Sequence, residues 1–86
     1  MRANYREIPQ LVRNMVPFTG NTMSAVVNSS GEYWIFSYST PIAVIDPSKD
    51  IFKLNANKYS TTTSRQQNII RRAFPQLVEV PSAKDL

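Results

Sequence analysis

The chain of 86 residues has the length of one small domain with a single core, which leaves little room for a deep substrate cavity. It has no cysteine and no histidine, which excludes disulfides and thiolate metal sites and removes the commonest general base and metal ligand. Ten lysines and arginines against six acidic residues give a net charge of +4, which allows nucleic acid or an acidic protein as partner and also occurs for solubility alone.

The first predicted element is a helix over residues 4–16. Its apolar residues recur with helical spacing and form one stripe: Ile8, Leu11, Val12, Met15 and Val16. Asn4 followed by Glu7 has the pattern of a capping box. Because Pro9 falls just past the first turn, where a missing N–H costs a hydrogen bond, a helix that begins at Pro9 is the alternative. Pro17 ends the helix in either case.

An antiparallel sheet is predicted over residues 22–55. The alternation of apolar and polar residues indicates four strands, which cover residues 22–28, 32–39, 42–45 and 51–55. Trp34, Phe36 and Tyr38 share one strand face, which is either core under a helix or a platform for nucleobases, and we favour core. Lys53 on the open face of the last strand is consistent with an edge strand.

The second helix is predicted over residues 61–74, within the segment Y-S-T-T-T-S-R-Q-Q-N-I-I-R-R-A-F. One side is apolar and the other is polar and basic, with Arg65, Asn68, Arg71 and Arg72. At about 100° per residue, three of these residues form one line down the helix: Arg65, Asn68 and Arg72. The candidate caps at the start of this helix are Thr61, Thr62, Thr63 and Ser64.

Gln66 falls on the apolar side of the second helix, where its amide needs hydrogen-bond partners. We therefore predict that Gln66 clamps the helix to the sheet or to the loop before it.

After Pro75, residues 76–80 form a short fifth strand or an extended arm, and residues 81–86 are expected to be a loose tail. The predicted fold is a single two-layer α+β domain of order α-β-β-β-β-α, a four-stranded antiparallel meander with two helices covering one face.

Nothing in the sequence points to catalysis. The six carboxylates form no motif for acid–base chemistry or Mg²⁺, and the two glycines, Gly20 and Gly31, make no phosphate-binding loop. We expect no enzyme activity, no cofactor and no bound metal. No apolar run reaches the roughly 18 residues of a membrane span, and the first residues lack an apolar signal region. A cytoplasmic protein without a membrane partner is therefore expected.

The basic face of the second helix leads to two hypotheses. In the first, Arg65, Asn68, Arg71 and Arg72 contact nucleic-acid phosphates, with Lys53 and Lys58 on the flank. Arg71 and Arg72 also lie in the last turn of the helix, where the dipole favours a cation without any ligand. In the second, the chain is a protein-interaction module that modulates another protein or assembles with itself.

Three segments carry a family resemblance: G-N-T-M-S-A at residues 20–25, S-Y-S-T-P-I-A at 37–43 and K-Y-S-T-T-T-S-R-Q-Q-N-I-I-R-R-A at 58–73. With their spacing they span most of residues 4–74. They resemble a family of small uncharacterised proteins carried by bacteriophages and related mobile elements. The resemblance implies a small accessory protein that acts by binding, in the cytoplasm of an infected bacterium, to nucleic acid or to a host or defence protein. It implies no catalytic residues.

Overall fold

A mixed six-stranded sheet forms the centre of the computed structural model, which describes residues 2–86. The strands lie in chain order across the sheet: β1 Phe18–Thr19, β2 Met23–Val27, β3 Tyr33–Ser37, β4 Thr40–Asp46, β5 Ile51–Asn55 and β6 Val78–Val80. Neighbouring strands are antiparallel from β1 to β5, and β6 pairs with β5 in parallel. The predicted α+β class is confirmed, and the predicted meander corresponds to β2–β5 within a larger sheet.

Two helices, α1 Ile8–Arg13 and α2 Thr61–Ala73, cover one face of this sheet and pack against each other. Ile8, Val12 and Ile70 from the helices enter the same core as the inward side chains of the strands, such as Ile35 and Leu54. Fully burying one such aliphatic side chain stabilises the fold by about 1.5–3 kcal/mol. The core is therefore the layer between the helices and the sheet.

Helix α1 is shorter than the predicted span of residues 4–16. The capping box forms, since Asn4 Oδ1 accepts from the Glu7 N–H at 3.3 Å and Glu7 Oε1 accepts from the Asn4 N–H at 3.3 Å. The box spans the turn that precedes the helix, so Glu7 is the N-cap and Pro9 lies in the first turn, where its missing N–H costs no bond. The helix ends at Arg13 because Met15 adopts a left-handed conformation, φ 55°.

Strand β6 is parallel to β5 because α2 carries the chain back along the helix-covered face before β6 begins. Strand β5 therefore lies between β4 and β6 and is not an edge strand, which corrects the interpretation of Lys53. Lys53 pairs with Val44 and Val78 and alternates with the core residue Leu54. Its side chain accordingly projects from the face of the sheet opposite the helices.

The face opposite the helices is only partly covered. The C-terminal 3₁₀ turn Ala83–Asp85, within the segment predicted to be a loose tail, contacts β4. Val44 is buried on this face, whereas Trp34 and Phe36 are half-buried. The aromatic row of β3 is therefore not core beneath a helix, in contrast to the interpretation favoured from the sequence.

Candidate functional site

The N-terminus of α2 is capped by Ser60, one residue before the candidates named from the sequence. Ser60 Oγ accepts a hydrogen bond from the Thr63 N–H at 3.2 Å. The Thr63 side chain is buried and its Oγ1 lies 2.9 Å from the Ser37 hydroxyl on β3. Thr62 and Ser64 are half-buried. The hydroxyl-rich start of the helix thus caps the helix through Ser60 and docks it to the sheet through Thr63.

Gln66 is fully buried and holds α2 to the loop before β2. Its Nε2 donates to Thr22 Oγ1 at 2.9 Å and to the Tyr5 hydroxyl at 3.1 Å, with the Thr22 carbonyl at 3.4 Å. These are partners of the kind that the predicted clamp requires. Gln66 Oε1 has no hydrogen-bond partner among the described residues. The helix is therefore fixed to the loop by the donor side of this amide.

Gln67, which the sequence interpretation left unassigned, makes a second clamp. Only 4% of its surface is exposed, and its Nε2 donates to the Asn55 carbonyl at 2.7 Å and the Asn57 carbonyl at 3.0 Å. Helical spacing could have predicted that Gln67 is buried, because it lies four residues after Thr63 and three before Ile70, and both of these residues are buried. Two consecutive glutamines thus fasten α2 to two different parts of the domain.

The exposed side of α2 keeps the line predicted from the sequence, because Arg65, Asn68 and Arg72 are all exposed. Arg71 has a different environment from the one expected. Its Nε and Nη2 donate to the two carboxylate oxygens of Glu79, each at 3.2 Å, and its Nη1 donates to Asn68 Oδ1 at 2.9 Å. Arg71 therefore joins α2 to β6 and its charge is balanced locally.

Arg65 lies over the ring of Tyr5, with its guanidinium carbon 5.4 Å from the ring centre. In residues 2–86 neither Arg65 nor Arg72 forms a salt bridge. Lys58 is exposed in the loop that leads into α2, whereas Lys53 belongs to the opposite face of the sheet. The predicted set of six residues therefore separates, and Arg65, Asn68, Arg72 and Lys58 remain available on the helix side.

The net charge is concentrated in the two helical segments. Residues 4–16 and 60–74 contain five arginines and one glutamate, which give +4. The remaining five lysines and arginines are balanced by five acidic residues, so the rest of the chain is formally neutral. Arg13 at the end of α1 and Arg6 in the turn before it are exposed and border the same shallow surface groove. Because Glu79 of β6 balances Arg71, a net charge of +3 is left on the side of the domain where α1 packs against α2.

A family of unknown function, DUF8033, matches residues 7–74, which is most of the chain. The chain belongs to this family. The DUF8033 region includes both helices, five of the six strands, and the Gln66 and Gln67 clamps with all their partners except Tyr5. No curated protein and no solved structure matches the chain.

Acidic side chains of this DUF8033 protein meet at the end of the sheet where β3 begins and β4 ends. Hydrogen bonds from the Asn28 and Trp34 side chains lower the pKa of Glu32. Hydrogen bonds from Ser48, whose hydroxyl lies 2.6 Å from Asp46 Oδ1, lower the pKa of Asp46. Both carboxylates thus stay ionised in the folded protein at neutral pH.

Two further properties of the described chain bear on function. Within residues 2–86, no three acidic side chains gather in a way that would hold a metal ion. Neither α1 nor α2 has the length and apolar character needed to cross a membrane.

Proposed function

We propose that this protein is a non-enzymatic, phage-type accessory protein of the bacterial cytoplasm whose helix layer binds the phosphate backbone of nucleic acid. The observation that carries the proposal is that the excess positive charge lies on the two adjacent helical segments, which keep +3 after Glu79 balances Arg71. Electrostatic attraction to phosphates supplies most of the affinity of non-specific nucleic-acid binders. A surface that is basic on one side only would also orient the protein on its partner.

The residues proposed to contact phosphates are exposed and carry free donors. Arg65 and Arg72 lie two turns apart on α2. Arg13 of α1 and Arg6 in the turn before it are also seven residues apart. Arginine offers several N–H donors in a planar fork that matches a phosphate group. Asn68 lies between the arginines of α2 and shares one bond with Arg71. If each of the four arginines contacts one phosphate, the logarithm of the binding constant should fall with the logarithm of the salt concentration with a slope of about −3.6.

Fluorescence polarisation with labelled DNA and RNA at about 50 and about 200 mM salt tests the proposal. The wild type should lose about 150-fold in affinity between these salt concentrations if four phosphates are contacted. Replacing both exposed arginines of α2, as Arg65→Gln/Arg72→Gln, should reduce the slope by about two. The control is Lys53→Gln/Lys84→Gln, which removes the same charge elsewhere on the molecule. Equal effects of the two double variants, or a Kd weaker than about 10⁻⁴ M for every nucleic acid at low salt, would refute the proposal.

The Arg71–Glu79 pair provides an independent test. The two side chains are 36% and 53% exposed, so the pair stabilises the fold by about 1 kcal/mol at most. Glu79→Gln should therefore leave the domain folded while releasing the Arg71 charge. The expected result is tighter nucleic-acid binding, with a plot of log K against log salt concentration that is steeper by about one. Unchanged binding in Glu79→Gln would show that this end of α2 does not face the ligand.

The face of the sheet opposite the helices favours a second candidate function, a protein-interaction module. Val26 is 47% exposed there and pairs with the half-buried Trp34, and Val78 on β6 is 63% exposed. Such a surface would suit self-association or a host or defence protein. Light scattering over a range of concentrations, with Val26→Lys as the variant, tests self-association. Pull-down with wild type and Val26→Lys tests a host partner, and no capture by the wild type would count against this candidate.

A further inference from the structure

Three of the four tyrosines are exposed. Tyr5, Tyr38 and Tyr59 have 37%, 64% and 45% of their surface accessible, whereas Tyr33 lies in the core. Within residues 2–86, every other aromatic side chain is buried or half-buried. Exposed tyrosines are therefore a distinct feature of this surface, and their positions decide whether they act together.

The three exposed tyrosines lie at one end of the domain, around the start of α2. The Tyr5 hydroxyl is 3.2 Å from Thr22 Oγ1, and the Tyr38 N–H donates to the Thr22 carbonyl at 2.7 Å. The Tyr59 hydroxyl accepts from Asn55 Nδ2 at 2.8 Å, and the same Nδ2 donates to the carbonyl of Pro41, close to the tip of the β3–β4 hairpin. Tyr5, Tyr38 and Tyr59 together are termed the tyrosine end.

Basic groups lie beside these rings. The Arg65 guanidinium covers the Tyr5 ring, and Lys58 immediately precedes Tyr59. A groove of about 540 Å³ opens beside Tyr5, with Arg2 and Asn21 in its wall and Glu7 as its one acidic residue. The acidic group of Glu32 and Asp46 belongs to the opposite end of the strands, where β3 begins and β4 ends. Aromatic rings interleaved with cations are the combination that binds unpaired nucleotides.

We propose that the tyrosine end stacks unpaired bases, so that the preferred partner is single-stranded nucleic acid. This inference rests on the proposed phosphate binding by the helix layer and specifies its ligand. Arg65 would link the two surfaces, since it belongs to the basic line of α2 and lies over Tyr5. A duplex keeps its base faces inside the stack, so it can offer only phosphates to the arginines, whereas a single strand offers phosphates and free base faces.

Tyr38 gives the cleanest test, because its side chain is the most exposed of the three and its φ of 57° is a conformation that asparagine tolerates. Tyr38→Asn removes the ring, Tyr38→Phe keeps it, and Val78→Asn is the control for loss of an exposed apolar side chain elsewhere. The probes are labelled dT12, rU12 and a 12-bp duplex DNA at about 50 mM salt. A stacking contact is worth at least about fivefold in affinity.

The wild type should bind dT12 or rU12 at least about fivefold more tightly than the duplex. Tyr38→Asn should lose at least about fivefold on the single strand and less than about twofold on the duplex, while Tyr38→Phe and Val78→Asn keep the wild-type values. A bound single strand should also protect Tyr5, Tyr38 and Tyr59 from nitration.

Equal binding of single strand and duplex, with no effect of Tyr38→Asn and no protection from nitration, would overturn the inference. The proposed function would then still stand if binding remained salt-dependent and sensitive to Arg65→Gln/Arg72→Gln. Absence of binding to all three probes would overturn both proposals at once.

Discussion

The Gln67 side chain offers the sharpest test of whether the Q-Q pair of α2 stabilises the fold. We consider Gln67→Met, which keeps an unbranched side chain of similar length and removes the amide. The substitution breaks the bonds to the carbonyls of Asn55 and Asn57. Asn55 is fully buried, so water cannot readily replace the lost donor at its carbonyl.

The expected cost follows from these contacts. Each hydrogen bond contributes a net amount of about 0.5–1.5 kcal/mol, and a buried carbonyl left without a partner costs about 1–3 kcal/mol. The methionine offsets part of this loss because it buries additional apolar surface. We expect the free energy of unfolding to fall by about 2–3 kcal/mol. A domain of this length has a total of about 4–13 kcal/mol, so the loss is a large fraction.

Urea unfolding at 25 °C, followed by the fluorescence of the single tryptophan Trp34 and by circular dichroism, measures this change. The matched control is Gln10→Met, the same chemical change at an exposed position of α1, which should stay within about 0.5 kcal/mol of the wild type. The melting temperature of Gln67→Met should fall by about 8–20 °C. If Gln67→Met cost no more than Gln10→Met, the clamp would contribute no net stability and the reasoning would be wrong.

Three further substitutions have defined outcomes in the same unfolding assay. Gly20→Ala should cost about 1–3 kcal/mol, because its Cβ would lie 2.8 Å from the Met23 carbonyl oxygen; a cost near zero would mean that the loop shifts freely. Asp46→Asn should destabilise the protein at pH 7, because the Ser48 hydrogen bonds stabilise the ionised carboxylate and lower the pKa of Asp46. This difference should shrink as the pH falls through the lowered pKa, and a difference that persists once Asp46 is protonated would contradict the reasoning. Tyr38→Asn should raise stability by about 0.5–1 kcal/mol, because it relieves a left-handed backbone conformation; a loss would show that the ring packs.

Local periodicity was sufficient to predict β2–β5, the existence of both helices and part of the candidate site. The alternation in β3 and the 100° spacing in α2 depend on neighbouring residues only, and they correctly placed Arg65, Asn68 and Arg72 on the exposed side of the helix. The same spacing identified Gln66 as a buried amide in need of partners. The DUF8033 match over residues 7–74 confirms a family of unknown function, whereas the phage origin implied by the resemblance stays a prediction.

Contacts between distant parts of the chain were outside the reach of these patterns. The Arg71–Glu79 pair requires β6 to lie beside β5, and that parallel pairing depends on the path of the chain after α2. Lys53 was predicted to flank the binding face and to lie on an edge strand, whereas β6 pairs with the outer side of β5. Likewise, the sequence separation of Tyr5 and Tyr38 gives no sign that both meet at Thr22.

Tyr5 connects the structural side of α2 with its proposed binding side. Its hydroxyl accepts a hydrogen bond from Gln66, a buried clamp, while its ring lies against Arg65, an exposed cation. The clamp therefore fixes the position of the ring against which Arg65 packs. The α2 segment can therefore stabilise the fold and bind a ligand at the same time, because different residues serve the two roles. The inward-facing residues of α2 hold the helix in place, and the outward-facing residues depend on that placement for their geometry.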